Sequence, residues 1–594
     1  MHIEKNICEY FLGTFLGIVG KTKDTINARL DLEDMGIRRH LHLKHNGDSY
    51  NFPHAPYTMN KTQKVDFCDF LRSVKFPDGY VSNLATCFST DGCNLQALKT
   101  HDCHILLQRI LPAAIRGIMS KDIYEALAEL GIFFQHLCAK TLKLDVLQRM
   151  KVEIPIILCK LEKIFPPSFF DVMLHLAIHL PDEAILRGPV QYGWMYPVER
   201  RLYTLKRFVR NMARPEGSIA EAYVANECLT ACSRYFDDVD TRHNREGRNK
   251  ERVDLSRGKF YVFQHGVELL GAPRITYLQD DYDKMVWYVL NNCSEVEPYI
   301  KMYKEELENE GIVNVEKTIQ KHFSSWFKKH IASLRFVEGE DIDDDLYALA
   351  CEPDLRVRIF SACLVDGVRY HTIDRERNRR TQNSGVMVEG THNNEFIDFY
   401  GCLKEIIELQ YNSDLMEHRT VVLFRCDWFD THSKKVSMKY DGYFRSINHS
   451  SCWYKNDTFI LAAQATKVFY LQDIKNSGSW KIVQKFTHRH LWCVAENDID
   501  ERPSSSGLSY QDDTCVGSEV QVNEGDMEIT GHQDADESIN VSASVVDEFR
   551  VQREEEVEEY ETSDNEDETG WQYASDNEES ITIVNDDDDF SDNE

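Results

Sequence analysis

The negative charge of this chain is gathered at one end, and that confines any folded core to the rest. Residues 501–594 hold 31 acidic and 3 basic side chains, a balance of −28 within a net charge of −31. Residues 1–500 are left with 65 basic and 68 acidic side chains, a nearly neutral body free to carry local basic faces. A segment so charged, and so poor in large apolar residues, cannot bury enough surface to offset the entropy of ordering its backbone. Residues 501–594 are therefore expected to be a disordered acidic tail. The tail repeats Ser-Asp-Asn-Glu at Ser563, Ser575 and Ser591, with the downstream acids that casein-kinase-type kinases favour. Two readings stay open for it: a solvating tail, or a phosphorylated segment that docks a basic partner.

The remaining residues are long enough for two or three domains with cores of their own. No run approaches the ~20 consecutive apolar residues of a membrane span, so no membrane partner is expected. Met1 is followed at once by His2, Glu4 and Lys5, which is no signal peptide. The 17 cysteines are odd in number and lack framework spacing, so they are expected as reduced thiols, which suits the nucleus or the cytosol.

Up to residue 240 the pattern is mostly helical. Residues 105–119 and 123–144 carry apolar side chains at three-and-four spacing, with Pro112 a break or kink in the first. Ser168 and Asp171 read as a capping box whose helix Pro181 stops. A basic helix is expected from Pro197 to Met212, ended by Arg214-Pro215-Glu216-Gly217. Ser218 and Glu221 then cap a further helix to about Phe236. Residues 237–258 suit an exposed connector, and Val286 to Lys329 is again helical.

From about Arg356 the period changes. Val357 to Val365, Asp366-Gly367 and Val368 to Ile373 predict a hairpin. Strand-like runs follow at 396–399, 405–411, 420–429, 459–471 and 480–486, which suggests a small barrel or compact sheet. The fold class is multidomain α+β. Its divisions are 1–160 and 161–240 (helical), 241–355 (connector with helices), 356–500 (β-rich) and 501–594 (tail).

One stretch carries chemistry more densely than the others. GPVQYGWMYPVER spans Gly188 to Arg200, and Arg201, Lys206, Arg207, Arg210 and Arg214 follow. Glu199 is a single acid at the start of a helix otherwise loaded with base. A carboxylate among guanidinium groups stays ionised and can hold a divalent cation, while the cations neutralise phosphates. Two-metal phosphoryl transfer needs that combination. The plainer alternative is a surface helix with ordinary ion pairs.

Several segments resemble the transposases of plant CACTA (En/Spm-like) elements. MHIEKNICE (Met1 to Glu9) is similar to the end of a catalytic block in those proteins, and KTHDCH (Lys99 to His104) with LPAAIR (Leu111 to Arg116) to the part after it. FPPSFFD (Phe165 to Asp171) through His179, and WMYPVE (Trp194 to Glu199) through Ser218, resemble a transposase-associated domain of unknown function. Residues 385–500, with GCLKEIIE (Gly401 to Glu408) and VVLFRCDWFD (Val421 to Asp430), resemble a second. The likeness runs through residues 1–500 in order.

The resemblance implies a DDE-type recombinase with an RNase-H-like core split by a helical insertion, acting on transposon-end DNA in the nucleus with Mg²⁺ or Mn²⁺. Glu199 then matches the third acidic metal ligand and His2 the histidine of an Asp-x-x-His motif. Arg200, Arg201, Lys206, Arg207, Arg210 and Arg214 would meet DNA phosphates. Both earlier catalytic aspartates, the partner of His2 and the core sheet would fall before Met1, itself read as an internal methionine of a longer frame. One carboxylate cannot assemble a site that needs three, so the chain is expected to be inactive alone. The alternative is a non-catalytic nuclear DNA- or chromatin-associated adaptor, meeting protein partners through the β-rich domain and the tail.

Two further clusters come from the residues themselves. His101, Cys103 and His104, with Cys87 and Cys93 upstream, are candidate zinc ligands, although adjacent side chains rarely reach one ion. Asp171, His175 and His179 are spaced to share one helix face. In the C-terminal region Trp428, Phe429, Tyr440, Tyr443, Phe444, Trp453, Tyr454 and Phe469 stand as core and rim aromatics or as a binding surface.

Overall fold

Apolar residues three and four apart make α1 (His2–Leu16) a one-sided helix, and Ile7, Cys8, Phe11, Leu12 and Phe15 are fully buried along it. The structure, a computed structural model, describes residues 2–81, 84, 87, 98–235, 259–263, 266–277, 281–339, 341–392, 395–411, 419–431, 437–453, 458–476, 478–486 and 539–563. The expected connector at 237–258 lies outside the described residues.

Around α1 gather α2 (Ile26–Asp34), a short hairpin of β1 (Lys44–Asn46) and β2 (Ser49–Phe52), and α3 (Lys61–Ser73). Next come α4 (Thr100–Ile105) and α5 (Leu111–Ile115), then α6 (Lys121–Leu137) and α7 (Leu144–Glu162). A stack of rings closes the middle of this core, Phe165 lying 4.3 Å from Phe169 and Phe11 5.1 Å from Phe169. Pro112 does not break its helix. A π-helical turn, Leu106–Ile110, joins α4 to α5 without a break, and the chain passes through Pro112 just after that widened turn.

Other helix ends differ from expectation for the same kind of reason. Ser168 Oγ donates to the Lys23 carbonyl at 2.6 Å, so it caps nothing. Asp171 alone caps α8 (Val172–His175), accepting from Met173 N at 3.0 Å. Pro181 opens α9 (Leu180–Arg187) instead of ending a helix. The thiol expectation fails at Cys68, which is disulfide-bonded; the other described cysteines are free.

After α10 (Tyr196–Arg207) and α11 (Pro215–Ser233) the chain turns to strands. β3 (Val267–Leu270) precedes β4 (Arg274–Tyr277); β5 (Arg356–Phe360), β6 (Ala362–Val365) and β7 (Val368–His371) come later. Between β4 and β5 lie α12 (Tyr282–Asn291), α13 (Glu297–Asn309), α14 (Val315–Ser333) and α15 (Asp344–Ala350). After α16 (Ile373–Glu376) come β8 (Gly385–His392), β9 (Glu395–Tyr411) and β10 (Arg419–Phe429). The last strands of the sheet are β11 (Met438–Tyr440), β12 (Arg445–Asn448), β13 (Cys452–Trp453), β14 (Phe459–Leu461), β15 (Thr466–Gln472) and β16 (Trp480–Lys485).

The predicted hairpin is present as β6 and β7, with Asp366 and Gly367 both at positive φ, 48° and 74°, as a tight two-residue turn requires. The expected runs at 396–399 and 405–411 are one strand, β9. It pairs β8 along its first half, β5 along its second, and β10 on its other edge. The main sheet runs β11-β12-β16-β15-β8-β9-β10-β13, antiparallel throughout, and no described pairing joins its ends. The barrel expectation is therefore corrected to an open sheet, and the strands described form no RNase-H-like core. α12, α14 and α15 pack with β9 and β10, sharing a core that includes Phe323, Phe327, Ile407 and Leu423.

The helical and β-rich parts are continuous, since Phe444, Phe469, Leu471 and Ile482 belong to the core built on α1. The tail also departs from expectation. Residues 539–542 form β17 (Ile539–Ser542), paired antiparallel with β2, and α17 (Ala543–Ser563) follows. The reason is local composition. This stretch holds Val541, Val546 and Phe549 and two of the tail's three basic residues, Arg550 and Arg553. Val546 is fully buried beside Leu30, Leu43 and Tyr50. Arg550 meets Glu33 at 3.3 Å, and Arg553 meets Asp31 at 2.6 Å. Residues 501–538 and 564–594 lie outside the described residues.

Candidate functional site

Glu199 and the basic residues around it sit on a helical hairpin that the rest of the fold barely covers. No described side chain of α10 is buried, and of α11 only Ser233 is. Apolar side chains on the pair stand in solvent: Leu202 is 59 %, Val224 58 % and Leu229 59 % exposed. Elsewhere side chains of this kind fill the cores. α10 and α11 do touch, and Arg201 lies over the Tyr223 ring at 5.0 Å.

The expected basic stripe is broken. α10 ends at Arg207, so Arg210 lies in the following turn and Arg214 is the residue before α11. Pro215 sets the first turn of that helix rather than closing the previous one. Ser218 Oγ accepts from Asn211 N at 3.1 Å and braces the turn, so it is no cap. Lys206, Arg207, Arg210 and Arg214 are nevertheless all exposed, with Arg200 half-buried, and no described ion pair engages those four. The six cations therefore share one hairpin, spread over α10 and the turn that leads into α11.

The Glu199 carboxylate is exposed on the first turn of α10, where the positive end of the helix favours an anion. No described hydrogen bond or ion pair engages it. His2 opens α1 and is also exposed. Among the described residues, neither belongs to a converging group of three possible metal ligands.

Such a group exists elsewhere, and it holds one of the expected zinc ligands. His104 Nδ1 lies 2.8 Å from Glu4 Oε2, Gln108 Nε2 lies 2.9 Å from Glu4 Oε1, and Cys138 Sγ lies 3.9 Å from Glu4 Oε2. Burial acts to raise the Glu4 carboxyl, but the adjacent His104 and Gln108 more than offset it and hold it low. Burial, with the Glu4 charge, pushes the Cys138 thiol well up. The other expected ligands point away. Cys103 hydrogen-bonds the Cys8 thiol, which that contact and burial together raise, and His101 faces the Tyr80 carbonyl at 3.1 Å. Cys93 lies outside the described residues. Glu4 and Cys138 carried no signal in the sequence, because only folding brings three distant segments together.

His175 and His179 do meet, Nε2 to Nε2 at 3.2 Å and both exposed. Asp171 leaves them: it caps α8 and pairs with Lys23 at 3.1 Å. The aromatic set of the C-terminal region divides rather than gathers. Trp428, Phe429, Phe444 and Phe469 enter three separate cores, Tyr443 OH donates to Glu129 at 3.1 Å, and Tyr440 is exposed. Nothing is described of Tyr454 or of the Trp453 side chain.

An open groove of about 860 Å³ in the main sheet is lined by Arg274, Arg375, Lys404, Arg425, Asp427 and Trp428. Its charges largely balance internally, with Arg425 2.6 Å from Asp281, Lys404 2.9 Å from Asp427 and Arg274 3.5 Å from Glu405. It offers no tract of unpaired cations. Of the three tail serines, Ser563 ends α17, whereas Ser575 and Ser591 lie outside the described residues.

No curated protein and no solved structure matches the chain. Two families do match parts of it, each described as a domain of unknown function: DUF4218 over residues 137–250 and DUF4216 over residues 407–483. The first spans the α10–α11 hairpin and the second the centre of the main sheet. Both domains are associated with plant transposases, and they stand here in one chain.

Proposed function

We propose that this chain is the C-terminal part of a CACTA-type DDE transposase, binding DNA through the α10–α11 hairpin and unable to cut it alone. One observation carries the reading. A transposase-associated domain here presents a helix pair with exposed cations, an exposed carboxylate and exposed apolar side chains, as a helix made to pack on a further sheet would. Glu199 is then the residual third acid and Arg200, Arg201, Lys206, Arg207, Arg210 and Arg214 the phosphate contacts. Cleavage and strand transfer would need two more carboxylates and Mg²⁺ or Mn²⁺ beside Glu199. The reading places the protein in the nucleus. Its rival is a non-catalytic adaptor that docks proteins through the sheet and tail.

Incubation with a labelled duplex and Mg²⁺ or Mn²⁺ tests both halves. Salt-sensitive binding without cleavage is expected, and Glu199→Gln should leave that binding in place. Cleavage that disappears in Glu199→Gln would overturn the inactive reading. Binding indifferent to salt, or absent, would favour the adaptor.

A further inference from the structure

We propose that Glu4, His104 and Cys138 form a site for one divalent transition-metal ion, zinc by the nature of its donors, which ties α1, α4 and the end of α6 together. The inference stands apart from the DNA reading and uses none of its residues.

The geometry comes first. One oxygen, one nitrogen and one sulfur from three helices all lie within 4.8 Å of one another. Donor atoms around a tetrahedral zinc stand roughly 3.3–3.7 Å apart, given metal–ligand lengths near 2.0–2.3 Å. Opening the 2.8 Å contact between His104 and Glu4 by about 0.5 Å, and closing Cys138 on Glu4 by less, brings both pairs to that spacing, with His104 and Cys138 already within 4.8 Å of each other.

The polar inventory points the same way. Glu4 is 2 % exposed, and a buried carboxylate needs a compensating positive charge. The His104 ring beside it is positive only when doubly protonated, and the amino-terminal charge also acts on Glu4. Without an ion the ring can donate to Glu4 Oε2, and the Gln108 amide gives its two hydrogens to Glu4 Oε1 and the Phe134 carbonyl. The cluster nevertheless gathers one oxygen, one nitrogen and one sulfur ligand atom in one place. A divalent ion suits it, since one carboxylate, one thiolate and a neutral imidazole give a site with no net charge.

Placement suits a bracing ion. Glu4 sits in the first turn of α1, His104 at the end of α4 and Cys138 at the C-terminal cap of α6. Gln108 comes from the π-helical turn, a local widening that brings its side chain to the cluster. Three protein ligands leave a fourth position for water or for the Gln108 carbonyl after rotation of its amide. His104 and Cys138 are only partly buried, which leaves an entry path.

The test uses the full chain, stripped with a chelator and dialysed against zinc, with bound metal counted per chain. A second arm replaces zinc with Co²⁺ and follows the thiolate-to-cobalt absorption. One ion per chain is expected, with the cobalt–thiolate band present. Cys138→Ser should lose the band, and Cys138→Ser and Glu4→Gln should each lose one ion while keeping the wild-type circular dichroism without metal. A count unchanged in both variants would overturn the proposal. So would an ion that vanishes in His175→Ala/His179→Ala but survives in Cys138→Ser, since the exposed histidine pair would then be the binder. A wild type that folds and holds no zinc would overturn it as well.

Discussion

Arg116 and Asp473 are 357 positions apart in the chain, yet their side chains meet at 3.0 Å with both almost fully buried. Arg116 also reaches Asp441 Oδ2 at 2.7 Å and Ser446 Oγ at 2.9 Å. One guanidinium at the end of α5 thus gathers three groups from the far side of the main sheet. This contact and the shared apolar core join the helical part to the β-rich part.

Removing the guanidinium leaves Asp473 charged and dry, so Arg116→Ala should cost about 3–5 kcal/mol. Urea unfolding at neutral pH measures it, and adding Asp473→Asn should recover part of the loss. A cost below about 1 kcal/mol would mean the pair is not holding the two parts together. Burial acts to raise the Asp473 carboxyl, but Ser446, Asn476 and Arg116 hold it low; Asp441 is held low as well. A depressed carboxylate contributes stability above its unfolded value, about 3.9, and loses that contribution as pH falls through the folded value. Acid unfolding of the wild type should therefore steepen below about pH 4, and less so in Arg116→Ala.

Lys467 should give the opposite pH dependence. It lies fully inside the sheet, 2.8 Å from Asn383 Oδ1, and burial pulls its ammonium down to about 7. The unfolded chain, with a value near 10.4, binds the proton more readily between the two. Stability should therefore rise with pH from about 7 toward 10, by roughly 1 kcal/mol per unit at most, and be flat in this respect below 7. Lys467→Met should remove that rise. Denaturant midpoints at several pH values check it, and an unaltered slope in the variant would assign the dependence to another group.

The docked tail segment is held by the β17–β2 ladder, one buried valine with its apolar neighbours, and a few partly exposed ion pairs. Such pairs contribute about 0–1 kcal/mol each, so Val546 is the apolar anchor of the docking. Val546→Asp should free β17 and α17 and speed hydrogen exchange in residues 49–52 at least about tenfold, while the main unfolding transition barely moves. Exchange unchanged in the variant would place the anchor elsewhere along α17.

The local signals in the sequence were reliable where one chemistry had one use. Asp366-Gly367 accepts positive φ at two successive positions and could hardly be anything but the turn it is. Proline was ambiguous, because it ends one helix as readily as it starts the next. Pro181 and Pro215 each open the following helix, and with Pro215 there the basic stripe stops short of Arg210 and Arg214. Strands were legible, but sheet closure was not, since it depends on which edges meet. Within the tail, the charge of the whole hides a short apolar stretch with its own arginines, and that stretch docks. The Glu4, His104 and Cys138 group had no local pattern at all. Its members are neighbours only because α1 packs on α4 and α6 on the π-helical turn that continues it.

The α10–α11 hairpin decides the functional reading, and its exposed apolar residues can be tested apart from its cations. Leu202→Ser with Leu229→Ser should change unfolding free energy by no more than about 0.5 kcal/mol, because neither side chain leaves a core. Phe11→Ala, by contrast, should cost about 3–5 kcal/mol. On the cation side, each neutralised phosphate adds about 0.9 to the slope of log affinity against log salt. Arg207→Ala with Arg210→Ala should thus lower that slope by roughly 1.8. Glu199→Gln should leave it unaltered or slightly steeper, since a carboxylate beside a phosphate only repels. If the serine variant unfolds the protein, the helices are packed more tightly than their exposure implies. A slope that survives loss of both arginines would move the DNA off this hairpin.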